Sequence, residues 1–291
     1  MSAYVYRRTG SVAESANWSR RRNTFVNLRT VMGRAYPRVI GAMREPSWVF
    51  FEVLLPMLAT SAFVFVYRAL AAPEEYIGFV VIGGALAAFW LNVVWLMAAQ
   101  LYWEKDQGNL ELYFSAPINM MSILVGMAIG GMFMTLTRAA VILVGGTLIF
   151  GVSYRVTDPL LLVAVFILTV VALYGLGMVL ASVFLMWGRE AYHLTQLLQE
   201  PIYFLGGLNV PVRALGPIAG VVVATLPLAV GLDAMRQLAF VGGETAGVLP
   251  PGVEALILAG MAVVLITVAH RALKFLERMA RREGRLTIRW Q

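Results

Sequence analysis

Residues 77–103 read IGFVVIGGALAAFWLNVVWLMAAQLYW, a stretch without a single charged side chain. A helix needs about 20 apolar residues to cross a hydrocarbon core of about 30 Å, and this run is longer than that. Runs of the same kind lie on both sides of it, and their lengths predict further spans at 47–69, 118–150, 159–187, 191–207 and 254–275. Six spans result. The third and fourth runs exceed the bilayer thickness, so each must tilt or project beyond it. The whole chain agrees with this reading: 60% of its 291 residues are hydrophobic and only 13% are charged, and its mean hydropathy is +0.77. That composition excludes a soluble globular enzyme and predicts an all-α polytopic membrane protein.

The formal charge of +7 does not indicate a nucleic-acid partner, because the basic residues are not spread over one face. Sixteen of the twenty-three lie in two tails, nine arginines before residue 45 and seven basic residues from 271 onward. By the positive-inside rule both termini are expected in the cytoplasm of a cell bearing this protein in its inner membrane, which an even number of spans satisfies. Residues 1–22 are arginine-rich and aperiodic and read as a disordered tail; 276–291 read as a second basic tail. From 23 to 45, Phe25, Leu28, Met32, Tyr36, Val39, Ile40 and Met43 recur at helical spacing while the arginines fall elsewhere, which predicts an amphipathic helix lying on the membrane surface. The spans then fill a transmembrane body at 46–275. No signal-peptide pattern is present, since the arginines continue for over forty residues before the first apolar run.

Between the fifth and sixth runs, residues 208–253 are neither a loop nor a span. Pro211, Pro217, Pro227, Pro250 and Pro251 interrupt an apolar stretch, Ile218 to Leu232, that is too short to cross. Broken apolar helices suit a re-entrant hairpin whose freed backbone groups are covered by protein, and the alternation of sides puts it outside the cell. With no cysteine and only two histidines, neither a disulfide framework nor a metal cluster is expected.

Directly after the quoted run comes 104–117, EKDQGNLELYFSAP. Its Glu104, Asp106 and Glu111 against Lys105 give a net charge of −2, unusual for an inner loop. Gly108 can turn the chain, Leu110, Leu112, Tyr113 and Phe114 form a compact apolar group, and Pro117 ends the short helix. Such a helix either docks a protein partner or only rests on lipid headgroups. Glu104, Gly108, Leu110, Glu111 and Pro117 resemble the E-x-x-x-G-x-L-E…P coupling segment of the permease subunits of ABC-2 type transporters. The stretch Glu200 to Gly207, with Pro211, Pro217, Pro227-Leu228 and Asp233 to Arg236, is similar to that family's fifth-span ending and re-entrant helices, so the resemblance covers roughly 25–275. The chain departs from the pattern at Asn109, where Thr is usual, and at Gly207-Leu-Asn-Val-Pro211, where Ser/Thr-Gly precedes the proline.

The resemblance implies a dimeric, ATP-driven exporter of an amphiphilic compound (drug, lipid or glycan-like), in which this chain is the membrane half and pairs with a second copy or a sister permease. It implies that Glu104, Gly108, Leu110, Glu111, Leu112, Tyr113 and Pro117 couple to a nucleotide-binding ATPase subunit, the glutamates meeting its basic residues and the leucines and Tyr113 filling a cleft on it. No cofactor is expected on this chain. A P-loop requires G-x-x-x-x-G-K-[ST], and neither Lys105 nor Lys274 has the glycine that precedes it, so ATP and its magnesium are expected on the partner and this chain is expected not to be an enzyme.

Polar residues in the second and fifth runs, namely Asn92, Trp95, Gln100, Gln196, Gln199, Tyr203 and Phe204, are candidates for the substrate path, or else hydrogen bonds between helices at about 1 kcal/mol each. Arg138 falls mid-run, where a lone cation costs at least about 2.5–3.5 kcal/mol, so it needs protein or water, with Glu52 and Glu200 as candidate partners. Gly126 and Gly130 match the small-xxx-small packing motif, which the 27 glycines of this apolar chain make common by chance. An ion-gradient-driven secondary transporter is the alternative, and would carry inverted repeats and midplane carboxylates. The acids cluster at run ends instead, and nothing supplies the convergent catalytic groups an intramembrane enzyme needs.

Overall fold

The computed structural model describes residues 12–44, 46–116, 118–187, 193, 197, 199, 202–203, 206–210, 216, 225–240 and 247–283. Every extended regular element among them is helical: α1 (Val12–Met43), α2 (Pro46–Ala69), α3 (Glu74–Leu91), a π-helical stretch (Asn92–Ala98), α4 (Gln100–Asp106), α5 (Asn109–Ser115), α6 (Met120–Phe150), α7 (Pro159–Trp187), α8 (Pro227–Ala239) and α9 (Pro251–Glu283).

The stretch that decides the fold becomes its hub. α3, the π-helical stretch and α4 form one rod from Glu74 to Asp106, and residues 77–90 are buried without exception. Its small residues allow that burial: Gly83 lets the backbone at Leu208 approach, and Gly78 and Gly84 make room for the side chains of Phe240 and Thr60. α2, α6, α7 and α8 pack around the rod, α9 lies along α7, and α1 lies along α6.

Among the described residues, four helices are long and apolar enough to cross a membrane: Glu74–Asp106, Met120–Phe150, Pro159–Met186 and Pro251–Met279. The chain is therefore a multi-pass, all-α membrane protein. The apolar part of α2, Val53–Ala69, is shorter, and most of the expected fifth span at 191–207 lies outside the described residues. Helix also extends further at both ends than the sequence predicts. α1 starts at Val12, so residues 12–22 are helical rather than part of a disordered tail, and α9 runs through 276–283 to Glu283. Both extensions are rich in Ala, Glu and Arg, which are good helix formers.

α1 sits on α6 through the two glycines of the small-xxx-small match. A Cβ built on Gly126 would stand 2.6 Å from the carbonyl oxygen of Val31, and one on Gly130 would stand 3.1 Å from that of Ala35. The motif thus seats a helix of the same chain. Phe25, Leu28, Met32, Tyr36 and Met43 remain exposed along the opposite side of α1, the stripe a surface-lying helix presents to lipid. Gly126→Val is expected to lift α1 from its seat, since the side chain meets backbone that cannot give way. Limited trypsin digestion in detergent should then cleave at Arg34 and Arg38 at least about tenfold faster than in the wild type, each tenfold corresponding to about 1.4 kcal/mol of opening; unchanged protection would contradict this packing.

At the far end of the bundle from α5, aromatic side chains form a belt. Tyr67 and Tyr76 stack at 5.6 Å between centroids, and Phe240 meets Phe79 at 5.2 Å and Tyr154 at 5.4 Å. α8, the C-terminal arm of the segment expected to be re-entrant, is buried along its whole length. Its Arg236 donates to the carbonyl oxygens of Phe79 (2.7 Å), Leu208 (2.8 Å) and Gly207, and lies 5.3 Å from the centre of the Phe79 ring. The bonds to Gly207 and Leu208 satisfy backbone groups of the interrupted segment, and the bond to Phe79 ties it to α3.

Candidate functional site

The acidic segment after the hub is built around Glu104. α4 ends where Gly108 takes a left-handed conformation, φ 79°, which costs glycine little; the chain reverses there and α5 folds back. That reversal points Glu104 inward, and it is only 4% exposed. Its Oε1 accepts from Gln100 Nε2 at 3.0 Å and pairs with the guanidinium of Arg34 from α1. Its Oε2 accepts from Asn109 Nδ2 and from Tyr113 Oη, both at 2.9 Å. Arg34 also lies 5.5 Å from the centre of the Tyr113 ring. Burial pushes the Tyr113 phenol above its ordinary value, with the Arg34 charge opposing, so the hydroxyl stays protonated as a donor. A carboxylate with four donors on two oxygens is fully satisfied.

This placement changes the reading of the segment. Glu104 is expected from sequence to reach a partner's basic residue, but its acceptors are used inside the chain, because Arg34 lies within reach across the fold. Leu110 is 1% exposed and packs in the main core, whereas Leu112 is 65% exposed. Tyr113 is half-buried. The outward face of α5 therefore carries Leu112. Glu111 lies on α5, but its side chain, like Pro117, is outside the described residues. Sequence reasoning missed Arg34 and Asn109, the two donors that bind the segment to α1 and to itself.

A second contact ties α1 to the rod. Arg38 Nη2 donates to the carbonyl oxygen of Leu96 at 3.1 Å, inside the π-helical stretch, where the regular ladder is interrupted. Arg34 and Arg38 are one turn apart, so a single face of α1 holds both the π-helical stretch and the acidic end of α4.

The polar residues of the rod separate into three settings. Asn92 is buried and accepts from Tyr174 Oη of α7 at 3.1 Å, a bond between helices. Gln100 belongs to the Glu104 network. Trp95 Nε1 donates to Gln199 Oε1, and Gln199 and Tyr203 line a cavity of about 430 Å³ with Thr60 and Phe63 of α2, Gly84 of α3 and Asn209. Three of the predicted path residues thus gather at one cavity or its edge, and two do not. Gln196 and Phe204 lie outside the described residues. Arg138 is buried on α6 within electrostatic reach of Tyr174 and Arg38; Glu200 and the side chain of Glu52 are outside the described residues.

The model of the family described as "ABC-2 type transporter" matches residues 37–240, from the end of α1 to the end of α8. No curated protein matches the chain.

Proposed function

The chain belongs to the ABC-2 type transporter family, and on that premise we propose that it is the membrane-spanning subunit of an ATP-driven exporter for an amphiphilic compound. A separate ATPase subunit docks on α5, holds ATP and magnesium, and supplies the work; this chain performs no chemistry of its own. The observation that carries the reading is the construction of α5: a short helix fastened by Glu104 to the end of the most buried rod, with Leu112 left outward. A force applied to α5 reaches the hub directly through the α4 network and reaches α6 through Arg34 and α1.

The cavity beside Trp95, Gln199 and Tyr203 is the proposed substrate path. Its largely apolar walls, with the polar side chains of Thr60, Gln199, Tyr203 and Asn209, suit a drug, a lipid or a lipid-linked glycan. Two permeases pair to complete it, each chain crosses the inner membrane six times, and the 208–253 segment forms the outward re-entrant hairpin. The basic tails support both termini being cytoplasmic.

Leu112→Asp tests the docking. A buried apolar anchor at an interface commonly contributes 2 kcal/mol or more, so affinity for the cognate ATPase should fall at least about thirtyfold in a pull-down from detergent, with the melting temperature of the free permease unchanged. Leu110→Asp should instead lower that melting temperature, because it places a carboxylate in the core. Wild-type binding by the Leu112 variant, or a wild-type permease that captures no ATPase, would overturn the reading.

A further inference from the structure

After α8 the chain returns across that helix at 247–250 and enters α9. Three buried polar side chains lie beneath this strap: Asp233 (5% exposed) and Gln237 (3%), one turn apart on α8, and Glu254 (2%) at the start of α9. The strap is pinned to α8 at two points. Val248 N–H donates to Asp233 Oδ2, and Gln237 Nε2 donates to Leu249 O, both at 2.8 Å. The approach is close, since a Cβ on Gly247 would overlap the Gln237 amide. The side chains of Val248 and Leu249 are exposed, so the polar bonds carry much of the attachment.

Among the described groups this cluster is one hydrogen short. Gln237 Nε2 carries two hydrogens and faces three acceptors: Leu249 O at 2.8 Å, Glu254 Oε2 at 3.3 Å and Asp233 Oδ2 at 3.4 Å. The opposite placement of the amide would set its oxygen 2.8 Å from the Leu249 carbonyl oxygen, so the nitrogen belongs where it is. The carboxyl group of Glu254 is also hydrogen-bonded to that of Asp233. Two ionised carboxylates are acceptors only and cannot bond to each other, and two like charges out of water repel. A carboxyl proton therefore supplies the missing hydrogen. Glu254 donates it to Asp233, which already accepts from Val248 N–H and has the guanidinium of Arg236 within electrostatic reach.

The neighbouring titratable groups are otherwise engaged. Arg236 serves the carbonyl oxygens of Phe79, Gly207 and Leu208, with Tyr67 of α2 beyond it and Tyr76 of α3 stacked on Tyr67. Tyr154 and Arg155 meet the far end of α8, at Phe240 and Ala239. Tyr174 of α7 is bonded to Asn92 of the rod, and Glu244 is outside the described residues. We propose that Asp233 and Glu254 form a pH-sensitive latch: one shared proton holds the 247–250 strap closed over α8 at the entry to α9, and release of that proton to bulk base frees the strap. Closing binds the proton, so rising pH opposes closure. Once the proton is gone, two buried negative charges face each other, and the one N–H that Gln237 has left over from Leu249 cannot serve both.

The test uses the full-length protein in detergent. Amide hydrogen exchange of the 247–250 segment is followed by mass spectrometry from about pH 6 to about pH 10, a range that spans proton release by buried carboxyl groups, and is corrected for the intrinsic pH dependence of exchange. In the wild type, protection should hold at the acidic end and fall about tenfold for each pH unit beyond release, as linkage to one proton requires. Glu254→Gln keeps a donor toward Asp233 and has no proton to lose, so its protection should stay near the acidic wild-type level throughout. Asp233→Asn places an amide hydrogen between the two side chains and removes the second charge, and should be equally flat. Should one variant fail to fold, the other decides. Tyr67 and Arg236 are intact in both, so a pH-dependent loss that persists in a folded variant would assign the effect to other groups and overturn the latch. Flat protection in the wild type, or protection lost at every pH in a folded variant, would overturn it as well.

Discussion

Glu104→Ala is expected to destabilise the free protein by about 2–4 kcal/mol and, on the proposed function, to uncouple it from the ATPase subunit. Removing one member of a buried, hydrogen-bonded ion pair usually costs about 3–5 kcal/mol, because the remaining charge keeps its desolvation without its partner. The Arg34 side chain is 30% exposed while that of Glu104 is 5% exposed, so the stranded guanidinium can regain some water, which lowers the expected cost. Gln100, Asn109 and Tyr113 lose their acceptor in the same step. Thermal melting in detergent measures the first effect, and permease-stimulated ATP hydrolysis measures the second, expected to drop at least about tenfold. A double-mutant cycle with Arg34→Gln and Glu104→Gln separates the pair from general damage: residues sharing one network should couple by about 0.5–3 kcal/mol. Additive losses would show that the two side chains stabilise the fold independently.

Arg236→Leu is expected to be at least as severe, at about 3–5 kcal/mol. The guanidinium is 2% exposed and serves the carbonyl oxygens of Phe79, Gly207 and Leu208 at once; each buried acceptor left unmade costs about 1–3 kcal/mol. Arg236→Lys should recover little of this, because a compact ammonium cannot span three carbonyls that a planar fork reaches. The readout is the monodisperse fraction on size-exclusion chromatography together with the melting temperature. A lysine variant equal to wild type would mean that charge alone, and not the fork, holds the broken segment.

Four of the six expected spans, at 77–103, 118–150, 159–187 and 254–275, were the legible part of the sequence, since a long uncharged apolar run has few structural alternatives in water or lipid. The ends were less so: nothing in residues 12–22 marks helix strongly enough to outweigh their polarity. At the acidic segment, three carboxylates in eight residues look alike on paper, and only the fold brings Arg34 to one of them. Leu110 and Leu112 carried a signal that could have been used. Two residues apart on a helix point about 200° apart, so if one is core the other faces out. Gly126 and Gly130 were discounted because 27 glycines in an apolar chain make the motif common by chance; here it seats α1, whose own apolar stripe faces away from it. Asn109, a departure from the family pattern, is explained by its bond to Glu104.

The π-helical stretch in the hub sets an angular relation between two parts of one rod. It carries one residue more than the α-helix it interrupts, and one residue is about 100° of azimuth. Asn92 at its upper margin is aimed at α7, while Glu104 beyond its lower end is aimed at α1. A regular helix would fix those two bearings to each other; the extra residue lets them be set separately. Arg38 grips the stretch itself, at Leu96, so the phase between the two halves is held from outside the rod, by α1.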